Sequence, residues 1–199
     1  MRLIWGRWNL EDRKVREDWA QRPSSAVLDF AGRGRHDEYQ FELSQPAGWT
    51  MKRLYNWASE EILHYRVFPT SRMRAFVDSP NSKVSRGVTV FQGIYIWPFR
   101  IRMADRILDV FEGEDEDQKW SGFTYGTIQG HAELGIETFR ITWDKKTSKV
   151  LYSMEAWSEP GHWLIRLLEP WARAVQKKAG REAMNFMESK LKDLSEGKP

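Results

Sequence analysis

Cysteine is absent from the 199 residues, so disulfides, thiolate metal ligands and a thiol nucleophile are excluded, and the redox compartment stays unread. No stretch approaches the roughly 20 consecutive apolar residues of a membrane span. The opening "MRLIWGRWNLEDRK" lacks the apolar run of a signal peptide. Charge of one sign is missing too. The 31 basic and 28 acidic side chains are interspersed and leave only +3, which argues against a nucleic-acid surface although the pI is near 9.1. These absences set the expectation of a cytoplasmic protein with no transmembrane segment and no nucleic-acid partner.

The usual catalytic signatures are also missing. No "GxSxG" supports a hydrolase nucleophile, and no glycine-rich phosphate loop opens a helix. Of the four histidines, His36, His64 and His162 lie far from His131 in sequence and show no ligand spacing, so neither a metal nor another cofactor is expected. The acidic run "DVFEGEDED" lacks the alternation of a calcium loop and suits a solvated turn.

What the chain has in excess is tryptophan, with eleven residues spread from Trp5 to Trp171. Large amphipathic rings serve a core with irregular gaps, a cavity wall or an interface. The spacing predicts short alternating strands and two substantial helices. "DEYQFEL" alternates Tyr39, Phe41 and Leu43 against polar neighbours, as a half-buried strand does. Met51, Leu54, Tyr55, Ala58, Ile62 and Tyr65 share one helical face, which predicts a helix over 46–66 capped by Ser44 and opened by Pro46. A series of β-prone stretches follows from "GVTVFQG" to "VLYSMEAWS". Leu164, Leu167, Leu168, Trp171, Val175, Ala179, Ala183 and Met187 then hold helical spacing within 162–194, and Pro170 is expected to kink or restart the helix one turn in.

Hairpin-linked strands followed by a long amphipathic helix indicate an α+β fold: a curved antiparallel sheet wrapped around the C-terminal helix. The expected organisation is an N-terminal extension over 1–35, a single domain over 36–194 and a frayed tail over 195–199. If the sheet curls about the helix, the space between the layers is where an apolar ligand would sit.

In 131–143 the apolar residues change phase. Ala132, Leu134 and Ile136 are even-numbered, whereas Phe139, Ile141 and Trp143 are odd. Strand side chains alternate strictly, so one core-facing strand cannot use both sets. A β-bulge near Gly135–Thr138, or a loop over 130–136, is the expected repair.

The stretch "GFTYGTIQGHAELGIETF" places Tyr125, His131 and Glu133 near one another if it forms a hairpin. A histidine beside a carboxylate can act as a general base, and a tyrosine hydroxyl can polarise a carbonyl. A polar hairpin rim, in which Gly126, Gly130 and Gly135 merely ease the backbone, fits the same residues.

That stretch, with the downstream "VLYSMEAWSEPGHWLIRLLEPWARAVQKKAGREA", resembles the domain-of-unknown-function 1990 family. The matching positions include Gly122, Phe123, Tyr125, Gly126, Thr127, Gly130, His131, Glu133, Gly135, Glu137, Phe139, Ser158, Pro160, Leu164, Leu167 and Pro170, and about 36–187 is covered. The resemblance supplies no catalytic residue. The element order also resembles the helix-grip arrangement of START-like and pollen-allergen-like lipid-binding proteins, an analogy of fold that does not fix function.

Three functional expectations follow. The first is a module that binds a small hydrophobic molecule between sheet and C-terminal helix, walled by Phe91, Trp97, Phe123, Trp143, Tyr152, Met154, Trp163, Leu167 and Trp171, with Tyr125 and His131 orienting the ligand. The second is a cyclase, isomerase or lyase using Tyr125, His131 and Glu133 in the same cavity. The third is an interaction module with a packed core and an exposed apolar patch.

Overall fold

The computed structural model describes residues 12–71, 73–96, 99–131, 133–161 and 169–196. The elements in chain order are α1 (Arg13–Ala20), a short 3-10 turn (Leu28–Phe30), β1 (Arg35–Glu42), α2 (Met51–Leu63), β2 (Met73–Val77), β3 (Thr89–Ile96), β4 (Phe99–Glu114), β5 (Gln118–Thr127), β6 (Glu133–Asp144), β7 (Lys149–Pro160) and α3 (Glu169–Ser195). The seven strands form one antiparallel sheet in the order β1-β7-β6-β5-β4-β3-β2. Consecutive strands from β2 to β7 pair as hairpins, and β1 returns to close the β7 edge. This is the helix-grip arrangement: an α+β fold in which a curved sheet holds the C-terminal helix.

α2 fills much of the concave face. Its helical stripe buries Leu54, Tyr55, Ala58 and Ile62. The helix is shorter than the spacing suggests, because the cap is Thr50, whose side chain accepts from the Arg53 N–H at 3.2 Å, and not Ser44. Pro46 instead opens a turn closed by the Trp49 N–H. One orphan donor of the first turn is thus satisfied at residue 50, which fixes the start there.

The C-terminal end of α2 carries a strained residue. Tyr65 adopts φ 56°, a left-handed conformation normally left to glycine or asparagine. That costs on the order of 1–2 kcal/mol. It turns the Tyr65 ring into the core, where its centroid lies 5.8 Å from Phe123, 6.3 Å from Tyr125 and 6.1 Å from Phe139. Phe123 and Phe139 stack at 5.1 Å and are fully buried. Each such ring is worth roughly 1.5–3 kcal/mol in burial alone, which offsets the strain.

Met187 and Leu191 carry α3 onto the same core. Gly180 permits its close approach, since a Cβ there would lie 3.1 Å from both Met154 and the Tyr39 ring. Lys190 reaches across to Glu61 of α2, whose other oxygen lies 3.3 Å from Arg66. The two helices are thereby tied beside one another.

The convex face is covered as well. Residues 12–34 pack across it: Ser24 bridges Ile128, and the Ser25 N–H donates to the Thr127 carbonyl at 2.8 Å. Gly126 makes this possible, because a Cβ at that position would sit 2.5 Å from the Ala26 carbonyl oxygen. Beneath this segment lie two small apolar clusters, one around Ala26, Phe30 and Ile136, the other around Phe91, Ala104 and Ile128.

This second cover explains the phase change in β6. The strand pairs continuously with β7 from Glu133 to Asp144, without bulge or break, and no loop occupies 133–136. Leu134 and Ile136 turn to the convex face under Ala26 and Phe30, whereas Phe139 and Ile141 turn to the concave core. Both faces of the strand are apolar at different heights, so the expected bulge is not needed. The irregularity lies instead in β4, between Ile107 and Asp109.

Candidate functional site

β5 and β6 form the hairpin that organises the site. The register sets Tyr125 opposite Glu137 and Phe123 opposite Phe139, all on the concave face. The turn is held by the Gly135 N–H, which donates to Thr127 Oγ1 at 3.1 Å, and by Gly130 at φ 95°. Beyond the Phe123–Phe139 stack the described residues leave a cavity of about 160 Å³, lined from all seven strands together with Phe68 after α2, His131 and Gly180 of α3. Phe68, Met73, Ile94, Met103 and Met154 give its apolar wall. Asp37, Gln92, Tyr125, His131, Glu133 and Glu137 give its polar one.

The polar side chains form a connected network. The Tyr125 hydroxyl donates to Glu137 Oε2. The Tyr65 ring lies beside that of Tyr125, their centroids 6.3 Å apart. Gln92 Nε2 donates to Tyr65 Oη at 2.8 Å and to Asp105 Oδ2 at 2.6 Å. His131 Nδ1 lies 3.0 Å from the Glu133 N–H, and its Nε2 is 3.7 Å from Asp105 Oδ1. Asp105 is only 1% exposed, and its Oδ1 has no hydrogen-bond partner among the described residues. The Tyr152 hydroxyl, equally buried, has none among them either.

Burial decides the protonation of this network, since it disfavours every charged form. It raises the Glu137 carboxyl to about 7, with the Tyr125 hydrogen bond pulling the other way and the Glu133 and Asp37 carboxylates adding to the rise. It holds Asp105 well above the usual carboxylate range, helped by Glu137 and Glu133. It depresses His131 to about 4, so the imidazole is neutral at pH 7. Tyr65, Tyr125 and Tyr152 are all pushed above the ordinary phenol value, first by burial. The arrangement therefore offers a carboxyl poised between its two states, a neutral imidazole and protonated phenols. No group of three His, Asp or Glu side chains among the described residues is arranged to hold a metal ion.

Tyr125, His131, Glu133 and Met154, singled out from the sequence, all line this cavity. Phe123 and Tyr152 lie in the packed core beside it. Trp143 is not at the cavity: its ring packs 6.4 Å from Tyr55, nearer the hairpin's other end. Phe91 faces the convex side, because it pairs with Ala104 and joins that cluster under Trp19 and Ala20. Trp97, Trp163 and Leu167 lie outside the described residues, as does the side chain of Trp171 within α3. The sequence reading passed over Glu137, Asp37, Gln92, Asp105 and Tyr65. Glu137 had a readable signal, since a hairpin turning near His131 must set it opposite Tyr125. The other four are brought in by β1, β3, β4 and the end of α2, through pairings between distant segments.

The fold and site define a helix-grip protein with a small recess lined in part by carboxylates. The chain belongs to the family described as "Domain of unknown function (DUF1990)", which it matches over residues 30–186. It is 37% identical over 89 residues to a protein of Dictyostelium discoideum named "UPF0548 protein", a match that spans 41% of each chain. A hypothetical protein from Helicobacter pylori shares the fold over 95% of this chain and 97% of its own, at TM-score 0.53 and 4% identity. A Thalictrum norcoclaurine synthase point mutant is a weaker likeness, at TM-score 0.40 and 10% identity over 80% of this chain and 94% of that one.

Proposed function

We propose that this protein binds a small organic molecule in the cavity, its apolar body against Met73, Met103 and Met154 and its polar end on the Tyr125–Glu137 pair. The observation that carries the reading is that, among the described residues, the filled core stops at Phe139 and a small, largely apolar space edged by a few polar groups follows it. At about 160 Å³ the space is comparable to the roughly 150 Å³ engineered cavities that admit benzene. That suits a compact molecule, which narrows the hydrophobic-ligand expectation from sequence. As expectations of the same kind, the partner is a small molecule and the location cytoplasmic; no described helix is long and apolar enough to cross a membrane.

The test uses methionine methyl groups labelled with carbon-13. Compact fragments should shift Met73, Met103 and Met154 but not Met51, which packs at the start of α2. Ala156→Leu, which fills the cavity from β7, should abolish the shifts while leaving the fold intact. Fragments that move no methyl, or that still bind the filled variant, remove the reading.

A second reading is favoured by one observation, the Glu137 carboxyl near 7 beside a tyrosine hydroxyl. A group that titrates near neutrality can both take and return a proton, the requirement of an isomerase or lyase. Cyclohexanone soaked into the protein in deuterium oxide should then exchange its α-protons faster than free in buffer, and Glu137→Gln should stop this. Exchange at the background rate with bound ketone removes the catalytic reading.

A further inference from the structure

We propose that the ligand of this cavity donates a hydrogen bond, from a hydroxyl or an N–H group, to an unmatched acceptor of the wall, Gln92 Oε1 or Glu137 Oε1; this rests on the cavity being a binding site, as proposed above.

The hydrogens that the wall could offer are nearly all committed already. Gln92 Nε2 uses one on Tyr65 Oη at 2.8 Å and the other on Asp105 Oδ2 at 2.6 Å. The Tyr125 hydroxyl donates to Glu137 Oε2. Ser25 Oγ donates to the Thr127 carbonyl at 2.9 Å, which makes the Thr127 hydroxyl the donor in the 3.0 Å contact between the two side chains. His131 turns Nδ1 to the Glu133 backbone and Nε2 to Asp105, so in either tautomer both nitrogens face protein groups. Ser158 is the exception, since its hydroxyl can serve as either partner. Asp37, Tyr39 and Glu133 are engaged with other groups and count on neither side.

The acceptors are not matched in the same way. Gln92 lines the cavity and is 3% exposed, and with its nitrogen turned to Tyr65 and Asp105 its Oε1 has no donor among the described residues. Glu137 Oε1 is left likewise, because the Tyr125 hydroxyl goes to Oε2. An unpaired acceptor in a buried wall is costly. A ligand that brings the donor removes that cost, whereas one that brings only another acceptor finds almost no hydrogen to meet it. The ligand is thus a compact alcohol, phenol or N–H heterocycle, its apolar body against the methionines of the opposite wall.

The test titrates three rings of similar size into the full chain at pH 8: phenol, which donates, fluorobenzene, which has no donor, and cyclohexanone, which only accepts. At that pH phenol is neutral, its ordinary value being about 10, and Glu137, raised to about 7, is mainly an acceptor. Met103 and Met154 methyl shifts report occupancy and affinity, and the carbon-13 shifts of Gln92 Cδ and Glu137 Cδ report the hydrogen bond. Phenol should bind about tenfold or more tighter than fluorobenzene or cyclohexanone, the margin of a hydrogen bond to a buried or charged acceptor, and should move at least one Cδ signal. If the Glu137 carbon moves, Glu137→Gln, whose oxygen meets the Tyr125 hydroxyl and whose amide hydrogens then face the cavity, should close the gap between phenol and cyclohexanone. Equal binding of phenol and fluorobenzene, cyclohexanone as the tightest of the three, phenol bound without movement of either Cδ, or a gap preserved in that variant overturns the donor proposal and leaves the binding cavity standing. Silence of all three at the methionine methyls overturns both.

Discussion

Tyr125 and Glu137 face each other across β5 and β6, with His131 midway between them in sequence and the tyrosine hydroxyl donating to the carboxylate. The pair is the boundary between a packed aromatic core and an open polar recess. Removing the donor leaves a half-buried carboxylate without its main partner, which costs roughly 1–3 kcal/mol. Tyr125→Phe should therefore destabilise the protein by about that amount in urea unfolding at pH 8. In the Glu137→Gln background the same change should cost less, and additive costs would show that the pair is not coupled.

Glu137 also sets a pH dependence with a definite sign. Its folded value, about 7, lies above the ordinary 4.5, so the folded state holds a proton that the unfolded chain has lost. Stability from this group is intact below pH 4.5 and falls as pH rises to 7. His131, depressed from 6.5 to about 4, works the opposite way, adding stability between pH 4 and 6.5. Asp37, Glu133, Tyr125, Asp105 and Tyr152 face or act on Glu137 from β1, β6, β5, β4 and β7, and all persist in a Glu137→Gln variant. The variant should thus gain on the wild type as pH rises, by about 3 kcal/mol between pH 4 and 8. Denaturant midpoints across that range measure it, and a pH-independent difference contradicts the assigned shift.

The cover on the convex face can be tested at Gly126. An alanine there would press its Cβ to within 2.5 Å of the Ala26 carbonyl, a backbone atom that cannot simply rotate away. Gly126→Ala should cost about 1–3 kcal/mol, as overpacking does. The Ser25 and Ala26 amides, which bond to the Thr127 carbonyl, should lose hydrogen-exchange protection while Phe139 keeps its own. Unchanged protection at Ser25 would mean that the segment yields without strain.

These sites differ in how far they can be read without coordinates. The sheet and both major helices follow from periodicity, because a single buried face imposes its period on Leu54, Ala58 and Ile62 or on Tyr39 and Phe41. β6 defeats that rule because it has two covered faces, and the second cover comes from Ala26 and Phe30, whose approach to Ile136 nothing local announces. Tyr125, His131 and Glu133 were legible as one hairpin's polar residues. Asp105 and Gln92 were not, since they enter only through the pairing of β3 with β4 and the turn of Tyr65 off α2.

Asp105 gives the last test. Its carboxyl is held well above the usual range by burial, so ionising it works against the fold. Asparagine has the same shape, keeps an acceptor for the Gln92 amide, and never ionises. Asp105→Asn should then match the wild type below pH 4 and exceed it in stability above, the gap widening with pH as the unfolded carboxyl loses its proton. Asp105→Ala, by contrast, strands the Gln92 donor in the core and should lose about 1–3 kcal/mol at every pH. If asparagine proves as damaging as alanine at pH 8, the carboxylate form is required, and the network must carry a compensating positive charge at Asp105.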